Sequence, residues 1–321
     1  MPTALITGIT GQDGSWLAEQ LLADGWKVVG VHRRLSAENH WRIRHLEGLV
    51  LRSVDLLDLP SLLDALADVQ PDHLYNLAAQ SFVPTSWDQP LLTGEVTGLG
   101  AVRVLEAARR ACPTARIYQA SSSEMFGGAT THPQTEDTPF APRSPYAVAK
   151  VYAHQMAVNY RLAHGMHVVC GILFNHESER RGLEFVTRKI SDGVARIHLG
   201  LADELVLGDL SVRRDWGYAP DYTRAMTAML HQDTPRDFLV ASGRDHSVEE
   251  FVARAFAVVD RDWRDHVRTD PALLRKNEIP CLRGDAHRIR EELGWEPSVD
   301  FGGLVERMVR MDLERVGCER W

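Results

Sequence analysis

Seven residues near the amino terminus, Gly8-Ile9-Thr10-Gly11-Gln12-Asp13-Gly14, constrain the fold more than any other stretch of the chain. They follow a short apolar run, Ala4–Thr7, and lead into an amphipathic segment over Trp16–Ala23. Glycines at a strand-to-helix turn let the backbone approach a pyrophosphate, and the positive end of the helix beyond them attracts it. A glycine loop alone is weak evidence, since many such turns carry two or three glycines. Its place directly after the first strand gives it weight.

The rest of the first half repeats that unit. Further apolar runs at Lys27–Val31, Val50–Val54, His73–Leu77, Arg116–Ala120 and Val168–Leu173 predict strands, and Ser61–Leu66, Ala101–Arg110 and Tyr146–Ala163 predict helices between them. Strands too apolar to alternate imply a parallel sheet covered on both faces. Right-handed crossovers then give an α/β fold with a doubly wound Rossmann sheet and ligands beyond the carboxyl ends of its strands. After about Asn175 the rhythm breaks into charged and glycine-containing stretches with isolated helices. The chain thus divides into a dinucleotide-binding domain, 1–175, and a smaller carboxyl-terminal lobe, 176–321, with some of the latter free to return to the sheet. Ser247-Val248-Glu249-Glu250 has the form of a capping box opening a helix through Val259, and Gly294 is placed to end a helix starting near Asp285.

Composition narrows the class. The chain has 321 residues, a formal charge of −8 and no apolar run near the ~18 residues of a membrane span, which argues against a nucleic-acid binder or a membrane protein. Met1-Pro2 leads straight into the first strand, so no signal peptide is expected. Cys112, Cys170, Cys281 and Cys318 form no C-x-x-C pair and read as reduced thiols of a cytoplasmic protein; the 14 histidines make no metal constellation.

Two groups of residues carry the chemistry. At the nucleotide end, the second strand runs into His32-Arg33-Arg34, where an acid commonly meets the adenosine ribose of NAD. Two guanidinium groups there favour a 2′-phosphate, hence NADP; the plain alternative is a solvated basic turn. Asp55-Leu56 is placed to meet the adenine, and Ala78-Ala79-Gln80 to pass under the nicotinamide ribose. At the chemical end, Tyr146 and Lys150 stand one helical turn apart, so that an ammonium can lower the pKa of a phenol asked to take a hydroxyl proton. Ser122 and Glu124 lie just past the fifth strand. A carboxylate there suggests proton abstraction beside a newly made ketone, which simple oxidoreduction does not need.

Taken together, GITGQDGSWLAE, YNLAAQSFV, YQASSSEMFG, PRSPYAVAK, GILFNHES with RRGLEFVTRKI, RRDWGYAPDY and GDAHRIREELGWEP resemble the extended short-chain dehydrogenase/reductases, and among them the GDP-mannose 4,6-dehydratase family, nearly end to end. The resemblance implies one tightly held NADP, recycled in each turnover, and a GDP-sugar substrate. It assigns the cofactor to Gly8, Gly11, Gln12, Asp13, Gly14, Arg33, Arg34, Asp55, Leu56, Leu77, Ala78, Ala79, Tyr146, Lys150 and His176. In it Tyr146 takes the C4 hydroxyl proton while Lys150 holds its charge state, Ser122 supplies a hydroxyl, and Glu124 removes the C5 proton and assists loss of water from C6. Ser81, Glu124 and Asn175 would meet the sugar; Arg188, Lys189, Arg214, Arg275 and Glu278 would grip the GDP portion. It also implies a homodimer or homotetramer, with the loop from Arg33 to about Arg44 near a neighbouring subunit's cofactor. Departures fall in the nucleotide-sugar half: Glu179 stands where the family commonly has proline, Asp209 where an amide is usual, and Arg275-Lys276-Asn277-Glu278 replaces R-P-x-E. The alternatives are an epimerase or 4-keto reductase on a GDP-hexose or GDP-heptose and, from another class, a non-catalytic NADP sensor.

Overall fold

A computed structural model describes residues 1–34, 39–274 and 277–318. Seven strands form its central sheet: β1 (Thr3–Thr7), β2 (Lys27–His32), β3 (Val50–Ser53), β4 (His73–Asn76), β5 (Arg116–Ser122), β6 (Val168–Leu173) and β7 (Phe238–Val240), in the order β7-β6-β5-β4-β1-β2-β3. Every neighbouring pair is parallel. Strands such as β4 and β6 are buried along their whole length, which is why their sequences do not alternate.

Two apolar layers enclose the sheet. On one face Ile6, Tyr75, Tyr118 and Phe174 pack against α1 (Gln12–Ala23) and a later helix, Ala219–Leu230. On the other, Leu5, Leu74, Ile117 and Val168 meet α2 (Leu59–Val69), α3 (Gly100–Ala111) and α4 (Pro145–His164). Six of the seven strands and helices α1 to α4 follow the sequence expectation, whereas the helix Ala219–Leu230 was not anticipated. β7 does not announce itself: it has only three residues, comes from the second half of the chain, and pairs with β6 through Phe238 opposite Gly171.

The lobe has its own core, in which Ile190, Val194, Trp216, Phe251, Phe256 and Met308 bring together α5 (Val186–His198), α6 (Val248–Ala257) and α7 (Phe301–Cys318). A buried carboxylate ties it to the sheet. Asp215, on the lobe strand Arg213–Tyr218, accepts from the Ser242 N–H at 2.8 Å, the Ser242 hydroxyl at 2.7 Å and the Gly243 N–H at 2.9 Å, just past β7. Burial pushes its pKa up to about 6 against these bonds.

Half of the expected capping box is present. Ser247 Oγ accepts the Glu250 N–H at 3.0 Å. The Glu250 carboxylate is drawn instead to His246 Nδ1 at 2.7 Å and Arg213 Nη1 at 2.9 Å, and α6 ends at Ala257, short of Val259. Gly294 ends the helix His287–Leu293 in the left-handed region, with φ 62°. Among the described residues no helix is long and apolar enough to cross a membrane, and no group of three or more metal-ligating side chains occurs.

Candidate active site

A cavity of about 830 Å³ opens at the carboxyl ends of β1, β2, β4, β5 and β6. The glycine loop forms one wall. Gly8 sits at φ +73°, and a Cβ there would lie 2.9 Å from the Ala78 nitrogen; one on Gly14 would lie 2.4 Å from the Gly8 carbonyl oxygen. Only hydrogen fits at either position. Gly11 caps α1 without a side chain, so the first-turn N–H groups remain available to an anion. Thr7 braces this turn against β4: its Oγ1 accepts the Leu77 and Ala78 N–H groups, each at 3.1 Å, and donates to Asn76 Oδ1 at 2.8 Å.

Gly8, Gly11, Gln12, Asp13 and Gly14 line this cavity, as do Arg33 and Arg34 beyond β2, Asp55 and Leu56 beyond β3, and Leu77, Ala78 and Ala79 beyond β4. Both arginines are exposed. His176 enters from the opposite side and places Nε2 2.8 Å from Asp13 Oδ2, while Nδ1 lies 2.7 Å from the Phe174 carbonyl oxygen. Burial would raise the Asp13 carboxyl, but the His176 charge and hydrogen bonds from His176 and Gln12 hold it below its ordinary range. Burial would likewise lower His176, and Asp13 reverses that to a net rise. The result is an ion pair between the phosphate loop and the start of the lobe.

Ser122, Glu124, Tyr146 and Lys150 line the same cavity. Ser144 Oγ accepts the Ala147 N–H at 3.1 Å and Pro145 fills the first helical position, fixing where α4 begins and hence where Tyr146 and Lys150 point. Ser122 caps the 3₁₀ turn Ser123–Phe126 by accepting the Glu124 N–H at 3.3 Å. The electrostatics differ from the sequence expectation in one respect. Lys150 Nζ donates to the Ala120 carbonyl at 2.8 Å and stands 5.8 Å from the Tyr146 ring centroid. Burial pushes Tyr146 up to about 12, opposed by the Ser122 hydroxyl and reinforced by Glu124, with Arg181 a further lowering influence. Burial also pushes Lys150 down to about 8. Desolvation is the largest influence on both groups.

The substrate residues separate into two sets. Ser81 and Asn175 line the cavity beside Glu124. Arg188, Lys189, Arg214 and Glu278 do not. Arg188 is buried in a bidentate pair with Asp312 of α7, both contacts at 2.7 Å, and Arg214 bonds Glu278 at 2.9 Å and the Ile279 carbonyl at 2.7 Å. Lys189 is half-buried on α5, and Arg275 lies outside the described residues. The unusual Glu179 sits within 3.4 Å of the Tyr218 hydroxyl, and Asp209 caps its own turn by accepting from the Ser211 N–H and hydroxyl at 2.8 and 2.7 Å. Neither lines the cavity.

Arg181, which residue-type reasoning passed over, does line it. Its Nε is 2.9 Å from the buried Glu177 carboxylate, and its guanidinium lies 3.5 Å from the Phe185 ring centroid. The tandem Arg180-Arg181 after His176 was the available signal, but nothing in it distinguishes which arginine turns inward.

The sheet order, the glycine loop and the Ser122–Tyr146–Lys150 grouping define an extended short-chain dehydrogenase/reductase. The chain belongs within that class to the GDP-mannose 4,6 dehydratase family, whose model matches residues 5–308. It is 48% identical to GDP-mannose 4,6 dehydratase 2 of Arabidopsis thaliana, over 99% of this chain and 88% of that protein. It is 44% identical to the human GDP-mannose 4,6 dehydratase, over 97% and 91% respectively. Among solved structures, a dTDP-glucose 4,6-dehydratase from Streptomyces venezuelae shares the fold with a TM-score of 0.89, 24% identity and 98% coverage of both chains.

The Asp13–His176 pair yields a pH signature. Its histidine contribution to stability is complete below the ordinary value of 6.5 and lost as pH rises through the raised folded value. Its aspartate contribution is present above the ordinary 3.8 and lost as pH falls through the lowered one. His176→Gln is therefore expected to lower the thermal midpoint more at about pH 6 than at about pH 9. Melting curves at the two values check this; an equal drop would mean the pair does not carry charge.

Proposed function

We propose that this protein converts GDP-D-mannose to GDP-4-keto-6-deoxy-D-mannose and water, using a tightly bound NADP. The placement of Glu124 beside Ser122, Tyr146 and Lys150 on one cavity wall carries this reading, supported by relatives named as dehydratases of that substrate over nearly the whole chain. Residues 1–175 would hold mainly the cofactor and 176–321 mainly the nucleotide sugar.

The residues present fit NADP: Gly8 and Gly14 leave room for a pyrophosphate against the amino end of α1, and Arg33 and Arg34 offer two guanidinium groups to a 2′-phosphate. Bound NADP supplies reversible hydride chemistry, accepting at sugar C4 and returning at C6, so no net reductant is consumed. Tyr146 takes the proton of the C4 hydroxyl. Because burial favours the neutral phenol, the Ser122 hydroxyl and the Arg181 guanidinium, which act against it, must offset that cost. The C4 ketone acidifies C5, and Glu124 removes that hydrogen as a proton. The same carboxyl group protonates the departing C6 hydroxyl, which leaves as water. The proton held on Tyr146 completes C5, and atoms balance with one water lost.

The working form is read as an oligomer in the cytoplasm, where its four free thiols are at home. Val148 and Tyr152 face outward from α4, 56% and 42% exposed, beside Leu91 at 85%. Val148 and Tyr152 themselves line a cleft of about 600 Å³, together with Trp87, Pro90, Gly94 and Gly98. Projecting apolar groups and a receiving cleft on the same face suit a second copy of this chain about a two-fold axis. Val148→Asp is expected to shift the protein toward monomer in sedimentation; an unchanged oligomer would place the interface elsewhere.

Glu124→Gln is expected to reduce the bound nicotinamide on adding GDP-mannose yet release 6-deoxy product roughly 10²–10⁴-fold more slowly. Absorbance of the reduced cofactor and product chromatography separate the two steps, and normal turnover would remove Glu124 from its role. Arg33→Ala is expected to weaken NADP binding by roughly tenfold with little change for NAD. Equal losses for the two cofactors would locate the 2′-phosphate elsewhere.

A further inference from the structure

Tyr146 and Lys150 are the first two members of a longer row. His154 is one turn further along α4, and all three side chains are buried. They grip three consecutive residues at the end of β5. The Tyr146 phenol faces the Ser122 hydroxyl, which acts to lower its pKa. Lys150 Nζ donates to the Ala120 carbonyl. His154 Nδ1 lies 2.9 Å from the Ser121 hydroxyl.

We propose that His154 is a positioning residue for the active site, holding Ser121 and through it the strand end that aligns Ala120 with Lys150 and Ser122 with Tyr146 and Glu124. The inference rests on the dehydratase reading of that site.

The imidazole is itself oriented. Its Nε2 faces Asp237 Oδ2 at 3.9 Å, too far for a hydrogen bond but close enough for the carboxylate to favour a proton on that nitrogen. Nδ1 is then the acceptor and the Ser121 hydroxyl the donor. Asp237 is fixed by both Arg161 nitrogens at 2.8 Å and by the Cys170 N–H at 2.9 Å, and the Phe140 ring meets the imidazole edge-to-face at 5.0 Å. Burial pulls the His154 pKa below its ordinary value, with Asp237 opposing and Arg161 assisting, so the ring accepts at neutral pH.

Serine, histidine and aspartate in a row invite comparison with a hydrolytic triad. The nitrogens are reversed, however: a triad turns Nε2 to serine and Nδ1 to the carboxylate. Ser121 is also only 4% exposed. The arrangement orients a strand and does not prepare a nucleophile.

The test compares His154→Phe, which keeps a ring but no acceptor, with His154→Asn, whose amide oxygen can replace Nδ1, and with Ser121→Ala. With GDP-mannose, His154→Phe and Ser121→Ala are each expected to lower kcat roughly 10–100-fold with KM changed less than about threefold, as for other residues that orient a site through a neighbour. His154→Asn should recover kcat to within about threefold of wild type, and the Ser121→Ala, His154→Phe double variant should be no worse than either single one. Amide hydrogen exchange over residues 120–124 should rise in His154→Phe and not in His154→Asn. Full activity in His154→Phe, equal losses in the Phe and Asn variants, or additive losses in the double variant would overturn the proposal. If His154→Phe fails to fold, Ser121→Ala and His154→Asn carry the same comparison. Wild-type failure on GDP-mannose would refute the substrate reading alone, because the exchange measurement needs no substrate.

Discussion

The structure depends above all on the seating of α4 against the carboxyl end of β5. Helix side chains at successive turns meet consecutive strand residues, and the Lys150–Ala120 contact at 2.8 Å lies in the middle. Ser144 and Pro145 decide where the helix begins, and the buried row of side chains decides which face it turns inward. Every group to which a proton transfer is ascribed is attached to one of these two elements or to the short turn that follows β5.

That seating is bought with desolvation. The row is buried, so the phenol rises to about 12 and the ammonium falls to about 8, each toward its neutral form. A base in this position works only if charge is supplied around it, and Arg181, held by Glu177 and Phe185, is part of that supply. The Asp13–His176 pair solves a related problem across the cavity, where two half-buried charges hold the glycine loop to the start of the lobe. Asp215, with donors from Ser242, Gly243 and Gly284, performs the same joining at the far end of the sheet.

Much of this was legible in the sequence, and the reasons are physical. Continuous apolar runs marked the inner strands because a parallel sheet buries both their faces, while β3, at the edge, is exposed along its length. Glycine spacing marked the phosphate loop because only hydrogen fits beside Ala78 and Gly8. Helical periodicity placed Tyr146 above Lys150. Long-range partners were not legible. Arg188 meets Asp312 across 124 residues and Arg214 meets Glu278 across 64, so arginines assigned to the GDP portion are engaged in protein ion pairs. β7 is three residues long, and its place beside β6 depends on the lobe's path. Arg180 and Arg181 are adjacent and chemically alike, yet only Arg181 lines the cavity.

The chemistry assigned to this site is an oxidation made to enable an elimination, with the cofactor ending as it began. The most direct measurement is mass spectrometry of the nucleotide sugar after the purified protein is incubated with GDP-mannose and no added cofactor. A product lighter by one water, accumulating over many turnovers, is the predicted result. A nucleotide sugar of unchanged mass and inverted stereochemistry, or a single turnover that leaves the cofactor reduced, would contradict it.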